Sequence, residues 1–323
     1  MDLPKNLTYD INGQIFEIIR PTRLNEGMVL KSGDIFARMG PKKIILKEQN
    51  HTTSLYNHGF PVAKILDYGE TSDGQWYFTE TSLGKATFHE IFEKEYKNNG
   101  EISRQTFNQY LATIKKYVTA QFAINNRTTI SATKFIKTLL PEQRVLNNYC
   151  YFGYDANDYI KAIKLATTKL THCQMGILQF DLNPFNVLKN GVIDFELVGS
   201  GPIAYDVLMS TRWGSSWFTD YPSLHSIAYK LTNNQIEEND KLISNLAAEN
   251  DLTDPTQYLQ EFLLLKSAWA ASDFNPPQND WPKNKIAFRR YRANVLKAVI
   301  EMYLSKNIIN YQLLSSIPGG ELE

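Results

Sequence analysis

The sequence changes character near Gly84, and this change limits the folds that the chain can adopt. Before Gly84, short runs of strand-forming residues are separated by turn signals such as Ser32-Gly33-Asp34. One helix is predicted among them over 42–58, because Gly59 stands where a helix C-cap is expected. The predicted strands are 16–19, 27–30, 35–39, 63–68 and 76–81.

After Gly84 the apolar residues recur with helical spacing. Ser103 is a suitable N-cap for a helix whose apolar face runs through 107–122. Further helices are predicted near 158–172, 223–232, 235–249, 256–273 and 284–305, and only 176–198 has a strand-like pattern. The chain is therefore predicted to be α+β, with a β-rich N-terminal lobe over 1–84 and a larger, mainly helical lobe over 85–323.

Composition excludes several classes of protein. The 323 residues carry 34 basic and 34 acidic side chains, so the net charge is zero. A chain that coats nucleic acid or an anionic membrane needs a cationic excess, and neither partner is expected. No apolar run reaches the ~18–20 residues of a membrane span. The first six residues also lack the apolar core of a secretory signal, so a cytoplasmic location is expected.

Cysteine and histidine provide no site of their own. Cys150 and Cys173 are too few for a disulfide framework, and each is expected to be a buried thiol. The five histidines form no H-E-x-x-H pair and show no zinc-site spacing, and no G-x-S-x-G motif is present.

The most informative segment surrounds Asn190-Gly191, which is a strong signal for a two-residue hairpin turn. A tight hairpin brings its outer ends together, and these ends carry Asn186 and Asp194. Asp181 lies five residues before Asn186. Amide and carboxylate oxygens suit Mg²⁺, and a carboxylate that does not bind the metal could accept a proton from a hydroxyl. This is the arrangement of residues that kinases use for phosphoryl transfer.

The segment 177–196 resembles the catalytic core of the aminoglycoside phosphotransferase and choline kinase-like families, whose usual pattern is H-G-D-x-x-P-x-N, a short gap, and I-D-F-E. The resemblance implies a protein kinase-like two-lobed fold, with ATP and Mg²⁺ as cofactors. It also implies that Asp181 is the catalytic base and that Asn186 and Asp194 are the Mg²⁺ ligands.

Two further acids are covered by the same resemblance. Gly201-Pro202-Ile203-Ala204-Tyr205-Asp206 is similar to the family's G-P-x-x-Y-D element, in which the aspartate supports the loop, so Asp206 is expected to be structural. Glu196 occupies the place of a second family acid. It either reaches the metal through water or lines the loop, and these two interpretations stay open.

The chain departs from the family pattern at Gln179 and Phe180, which replace the usual His and Gly. In kinase-like loops this histidine braces the backbone, and the Gln179 amide could do the same. The departure keeps an alternative function open, namely a catalytically weak or inactive nucleotide-binding relative.

The nucleotide-binding residues of the N-terminal lobe are predicted from weaker signals. The segment 76–84 resembles the last strand and hinge, which gives the Glu80 carbonyl and the Ser82 N–H as contacts for adenine. A kinase fold also needs a strand cation that is paired with a helix carboxylate. Arg38 with Glu48 is the first choice, and Lys47 at the end of a strand over 44–47 is the alternative.

The predicted function is the ATP-dependent transfer of a phosphate to a hydroxyl of a small molecule. A protein kinase is disfavoured, because no A-P-E-like element follows Asp194. An aminoglycoside, an amino alcohol, a sugar and homoserine all remain open as acceptors, and the sequence carries no signal of oligomeric state. Acids and tryptophans that would suit an aminated acceptor are Asp273, Asp280, Trp213, Trp217, Trp269 and Trp281.

Overall fold

Six antiparallel strands at the N-terminal end form one sheet in the computed structural model, which describes residues 8–21, 27–124, 131–140, 142–195, 198–216, 229–272, 283–306, 308–310, 314 and 317. The strands are β1 (Thr8–Ile11), β2 (Gln14–Pro21), β3 (Met28–Ser32), β4 (Ile35–Gly40), β5 (Ile65–Glu70) and β6 (Trp76–Thr81). Their spatial order is β1-β2-β3-β4-β6-β5. All five predicted strands are found, and β1 was not predicted.

The sheet curls strongly. Asn12, in the turn between β1 and β2, donates a hydrogen bond to Asp67 Oδ2 of β5 at 2.8 Å, although three strands separate β2 from β5. Its side chain also donates to the Tyr77 hydroxyl at 2.7 Å. A small apolar core on one face consists of Ile11, Phe16, Leu30, Ala37, Met39 and Tyr77. The curl lets a sheet of this size enclose a core on one face and leave the other for a cleft.

Helix α1 (Lys42–Asn57) connects β4 to β5 and follows Pro41. Gly59, with a φ of +80°, terminates it as predicted. The alternative of a strand over 44–47 is wrong, because these residues are helical. A short apolar run cannot distinguish a strand from one turn of a buried helix, and here Ile45 is buried on a helical face.

The rest of the described chain is mainly helical, as predicted. The helices are α2 (Phe88–Asn99), α3 (Arg104–Ile124), α4 (Ala132–Leu139), α5 (Glu142–Tyr151), α6 (Ala156–Lys169), α7 (Tyr205–Ser216), α8 (Asn233–Glu249), α9 (Leu259–Ser272) and α10 (Lys283–Leu304). Across the described ranges, no helix combines the length and the apolar character that a membrane span requires. The predicted helix over 223–232 is wrong where it can be followed: 229–232 are not helical, and Thr232 is instead the N-cap of α8.

Two short strand pairs lie among the helices and carry the candidate site. Strand β7 (Met175–Leu178) pairs with β10 (Gly199–Pro202), and β8 (Val187–Leu188) pairs with β9 (Gly191–Val192). Helix α3 packs behind both pairs, and its predicted apolar face is buried from Phe107 to Phe122.

The two cysteines behave differently. Cys173 is buried, as predicted, but Cys150 is exposed, so the prediction of a second buried thiol is wrong. Helix α5 buries Val145, Asn148 and Tyr149, and the next residue along a helix turns about 100° away from such a face.

Candidate functional site

The predicted hairpin is present, but its turn lies one residue earlier than expected. Leu188 pairs with Gly191, which leaves Lys189 and Asn190 as the turn residues. Gly191 is needed for space rather than for a left-handed backbone: a Cβ there would lie 2.1 Å from the Pro61 carbonyl oxygen. The close approach allows Val192 N–H to donate to that carbonyl at 2.7 Å.

The hairpin brings the two predicted metal ligands to one place. The Asn186 carbonyl accepts a hydrogen bond of 2.9 Å from Ile193 N–H, so Asn186 lies beside the residue that precedes Asp194. The Asn186 Nδ2 donates to the Asp181 carbonyl at 3.0 Å. Because the amide nitrogen is engaged in this way, the Asn186 Oδ1 is the atom that remains for a metal.

Asp181 is held by the turn that contains it. Its carbonyl accepts a second hydrogen bond, of 2.9 Å, from Asn183 Nδ2, and the same amide lies 3.2 Å from Asp181 Oδ1. Asn183 also accepts from Phe185 N–H at 2.9 Å. The loop from Asp181 to Asn186 is therefore fixed by its own amide side chains.

Gln179 braces the backbone at Ile193 and Asp194, as the sequence predicts for the residue that replaces histidine. It is fully buried, and its Nε2 donates to the Asp194 carbonyl at 2.6 Å and to the Ile193 carbonyl at 3.3 Å. Asp194 has a φ of +66°, a conformation that costs a non-glycine residue energy unless its surroundings hold it. The Gln179 amide supplies that restraint.

A second, buried hydrogen-bond network holds the backbone of Gln179 through Tyr117 and Asp206. Its backbone N–H donates to both Asp206 Oδ2 and the Tyr117 hydroxyl, each at 3.0 Å. The Tyr117 hydroxyl in turn donates to Asp206 Oδ2 at 2.6 Å. Burial raises the pKa of the Asp206 carboxyl, and the hydrogen bonds that it accepts oppose this rise. Asp206 thus holds together the backbone and side chains beneath the loop, which fits the structural role implied for it.

Sequence reasoning missed two contributors to the loop. Tyr117 looked like an ordinary member of the apolar face of α3, and nothing in the local sequence marks its hydroxyl. His89 of α2 stacks on Phe185 of the loop, with ring centroids 3.5 Å apart and planes 20° from parallel. This contact joins residues that are far apart in sequence, so no spacing pattern could reveal it.

The opposite wall of the site is formed by the sheet and α1. A cleft is lined by Arg38 of β4, Glu48 of α1 and Glu80 of β6 on one side and by Asp194 on the other. Arg38 Nε lies 3.6 Å from Glu80 Oε1. Lys47 is exposed on α1 and does not line the cleft.

The predicted pairing of Arg38 with Glu48 therefore needs correction. Within the described ranges, the ion pair of Arg38 is made with Glu80, although Glu48 lines the same cleft. The reason is the strand register: Arg38 lies opposite Phe78, which places Glu80 on the same face two residues further along β6.

The predicted hinge contacts fall on backbone groups that the sheet already engages. Ser82 N–H already donates to the Asp34 carbonyl at 3.0 Å. Hydrogen-bonded pairs alternate along an antiparallel ladder, so Glu80, opposite Phe36, directs its backbone groups to β4 as well.

At the end of β6, the Thr81 carbonyl and the Leu83 N–H are not engaged in the same way. Lys64 N–H donates to the Thr81 hydroxyl at 3.1 Å rather than to its carbonyl. The Leu83 N–H donates to no residue in the described part of the chain. The Thr81 carbonyl thus remains as an acceptor and the Leu83 N–H as a donor. Each lies one residue beyond its predicted counterpart, the Glu80 carbonyl or the Ser82 N–H.

Most of the predicted acceptor residues, namely Trp217, Asp273, Asp280 and Trp281, lie outside the described residues, and for Trp213 only the backbone, in α7, is described. Glu196, predicted as a second acid of the loop, also lies outside them. Trp269 of α9 is half-buried, and Lys266 Nζ lies 4.0 Å from its ring centroid. The cation over that ring comes from the chain itself, which argues against Trp269 as a contact for an aminated substrate.

Among the residues that the structure describes, no group of three or more His, Cys, Asp or Glu side chains is placed to hold a metal ion. A site of one carboxylate and one amide is consistent with Mg²⁺, which keeps several waters and is completed by substrate phosphates. Asn186 and Asp194 are the residues that fit this ion.

Known proteins share the fold that carries these residues. No curated protein sequence matches the chain at a significant level. Among solved structures, a thermostable mutant of aminoglycoside phosphotransferase APH(4)-Ia in ternary complex with ADP and hygromycin B is similar over 91% of this chain and 94% of its own, with 13% identity and a TM-score of 0.53. The apo form of that mutant matches over the same shares, with 14% identity and a TM-score of 0.51.

A choline/ethanolamine kinase family protein from Mesorhizobium loti covers 94% of this chain and 92% of its own, with 12% identity and a TM-score of 0.48. The likeness to the aminoglycoside phosphotransferase confirms the predicted protein kinase-like fold. The model of the phosphotransferase enzyme family matches residues 28–230, which include the sheet from β3 onward, the cleft and the loop of Asp181. The chain belongs to the phosphotransferase enzyme family.

Proposed function

We propose that the protein transfers the γ-phosphate of Mg²⁺-ATP to a hydroxyl group of a small molecule. The observation that carries this proposal is the convergence of Asp181, Asn186 and Asp194 at one end of a hydrogen-bonded hairpin, where Asp194 lines a cleft that also contains Arg38. Each role in phosphoryl transfer then has a residue: base, metal ligands and phosphate-binding cation.

The step is an in-line displacement. The acceptor oxygen bonds to the γ-phosphorus as the bond to the β–γ bridging oxygen breaks, and ADP leaves. Asp181 accepts the proton of the attacking hydroxyl. Bound Mg²⁺ would neutralise charge on the phosphates, and Asn186 and Asp194 are the residues that would hold it. Arg38, a planar cation, would bind phosphate oxygens across the cleft.

The nucleobase contacts are proposed one residue beyond the predicted pair. The Thr81 carbonyl would accept from the base and the Leu83 N–H would donate to it, in place of Glu80 and Ser82. The support is that Ser82 N–H is already engaged with Asp34, whereas Leu83 N–H has no partner in the described ranges.

The chemical class of the acceptor is proposed only as a hydroxyl-bearing small molecule. The similar structure of the APH(4)-Ia mutant contains hygromycin B, an aminoglycoside, which makes this class the first to test. Amino alcohols, sugars and homoserine complete the panel.

An ADP-release screen with Mg²⁺-ATP and these acceptors tests the proposal. With the active acceptor, we expect Asp181→Asn to lower turnover by about 10²–10⁴-fold while ATP binding changes little. Asp251→Asn is the matched control, because Asp251 is exposed after α8 and asparagine tolerates its φ of +53°.

Two outcomes would contradict the proposal in different ways. Undiminished turnover in Asp181→Asn would exclude the base assignment. ATP binding without turnover on any acceptor would favour the alternative of an inactive nucleotide-binding relative. The brace that Gln179 provides argues for the active enzyme, since it restores the support lost with the family histidine.

A further inference from the structure

Glu80 places a carboxylate inside the cleft, beside the strand end that we assign to the nucleobase. Its side chain is 13% exposed and lines the cleft with Val62 and Phe78. One of its oxygens, Oε1, lies 3.6 Å from Arg38 Nε. Because Thr81 follows directly in β6, a base that bonds to the Thr81 carbonyl would lie within reach of this carboxylate.

We propose that Glu80 selects the nucleobase: its carboxylate accepts a hydrogen bond from the 6-amino group of adenine and disfavours the 6-oxo group of guanine or hypoxanthine. This inference rests on the proposed function, because it requires the nucleotide to occupy this cleft. It gives Glu80 a specificity role that is separate from the adenine contact predicted for its carbonyl.

The selection follows from the chemistry of the two purine edges. An ionised carboxylate can only accept hydrogen bonds, and the 6-amino group offers two N–H donors. One would reach the Thr81 carbonyl and the other Glu80. A 6-oxo group offers only acceptors, so it would face both oxygens unpaired in a site with little water. Leaving such groups unsatisfied typically weakens binding on the order of 10- to 100-fold.

Arg38 fixes Glu80 in this role. The ion pair orients the carboxylate toward the cleft, and the guanidinium opposes the rise in the Glu80 pKa that burial causes. Arg38 itself would contact phosphates, which are identical in all nucleoside triphosphates. The two residues should therefore affect binding differently: Arg38 sets the affinity for every nucleotide, and Glu80 sets the preference among bases.

Calorimetric titration of the full chain with Mg²⁺-ATP and Mg²⁺-ITP separates these effects, since the two nucleotides differ at the 6-position and the adjacent N1. We expect the wild type to bind ATP at least about tenfold more tightly than ITP. In Glu80→Gln the ratio should fall about tenfold, because the amide can turn to donate to a 6-oxo group. Arg38→Lys, which keeps a positive charge beside Glu80 but loses the planar fork, should weaken both nucleotides and keep the ratio.

Binding of both nucleotides with a ratio that Glu80→Gln does not change would overturn the inference while leaving the proposed function intact. A ratio that falls equally in Arg38→Lys would also overturn it, because the preference would then depend on the guanidinium of Arg38 rather than on the Glu80 carboxylate. Failure of the wild type to bind either nucleotide would contradict the proposed function itself.

If Glu80→Gln melts below the assay temperature, the wild type is titrated with purine riboside triphosphate, which carries hydrogen at the 6-position. An affinity between those of ATP and ITP supports the inference, and an affinity equal to that of ITP contradicts it.

Discussion

On one side of the cleft, partly buried hydrogen bonds from Asn183 and Asn186 hold the loop of Asp181, and one from Gln179 holds Asp194. On the other side, Arg38 makes one ion pair in the described part of the chain, at 3.6 Å from Glu80. The loop is thus rigidly prearranged, whereas the phosphate-binding wall depends on a single, longer interaction. The difference suggests that the geometry of the metal and base is set before the nucleotide binds, and that Arg38 adjusts to its phosphates.

The largest expected loss of stability comes from a change in the hairpin of β8 and β9, which packs against Pro61 on the other side of the cleft. Gly191→Ala would place a Cβ 2.1 Å from the Pro61 carbonyl oxygen, so the hairpin must shift and its bond to Pro61 must lengthen. We expect a loss of about 3 kcal/mol in the free energy of unfolding, measured by chemical denaturation.

Gly13→Ala is the control for this change. Gly13 has a φ of +82°, and an added methyl group would meet nothing within 4 Å, so only the backbone conformation is penalised, by about 1 kcal/mol. Equal losses in the two variants would show that the close approach to Pro61 is unimportant.

A smaller effect is expected from the network below the loop. Tyr117→Phe removes the hydroxyl that donates to Asp206 and accepts from Gln179 N–H, and should cost about 2 kcal/mol of stability. Tyr110→Phe is matched: it is equally buried on the same helix, but its hydroxyl bonds to the neutral Ser210. That variant should lose about 1 kcal/mol and keep its turnover.

Turnover tells whether the network serves the loop or only the core. We expect Tyr117→Phe to lower kcat at saturating ATP, whereas Tyr110→Phe should not. Equal kcat values in the two variants would show that the network has no part in catalysis.

The smallest effect is expected at the cleft wall. Arg38→Lys keeps the charge but loses the planar fork, so ATP affinity should fall about threefold to tenfold with a stability change below about 1 kcal/mol. Lys47→Gln tests the rejected alternative, and its ATP affinity should equal that of the wild type. A larger loss in Lys47→Gln than in Arg38→Lys would reverse the assignment of the cation.

The loop was the part of the site that sequence could predict, because its residues are close in the chain. Asp181, Asn186 and Asp194 span one hairpin, and a tight turn determines which residues meet. Even there, the role of Gly191 was misjudged, since its close neighbour, Pro61, is distant in sequence.

The cleft wall could not be predicted in the same way. Which carboxylate meets Arg38 depends on the register between β4 and β6, and the same register decides which backbone groups of β6 stay available. Local spacing favours Glu48 as the partner of Arg38, whereas the register of the sheet pairs Arg38 with Glu80. Local spacing also favours Glu80 and Ser82 as the nucleobase contacts, whereas the sheet engages the Ser82 N–H with Asp34.

Among the helices, the caps carry a clear sequence signal. Thr87 and Glu90 form a complete capping box at the start of α2, a pattern that is visible in the sequence as T-F-H-E. By contrast, the helix predicted over 223–232 followed an apolar pattern, although Thr232 is the cap of the next helix. Caps were better guides than periodicity at these boundaries.

The most direct test of the account is the metal dependence of ATP binding by the wild type and Asp194→Asn. If Asn186 and Asp194 hold Mg²⁺ against the phosphates, replacing Mg²⁺ with a chelator should weaken ATP binding by the wild type at least about tenfold. The variant should bind ATP weakly in both conditions. ATP affinity of equal strength with Mg²⁺ and with chelator in the wild type would contradict the central claim that this loop is a magnesium-nucleotide site.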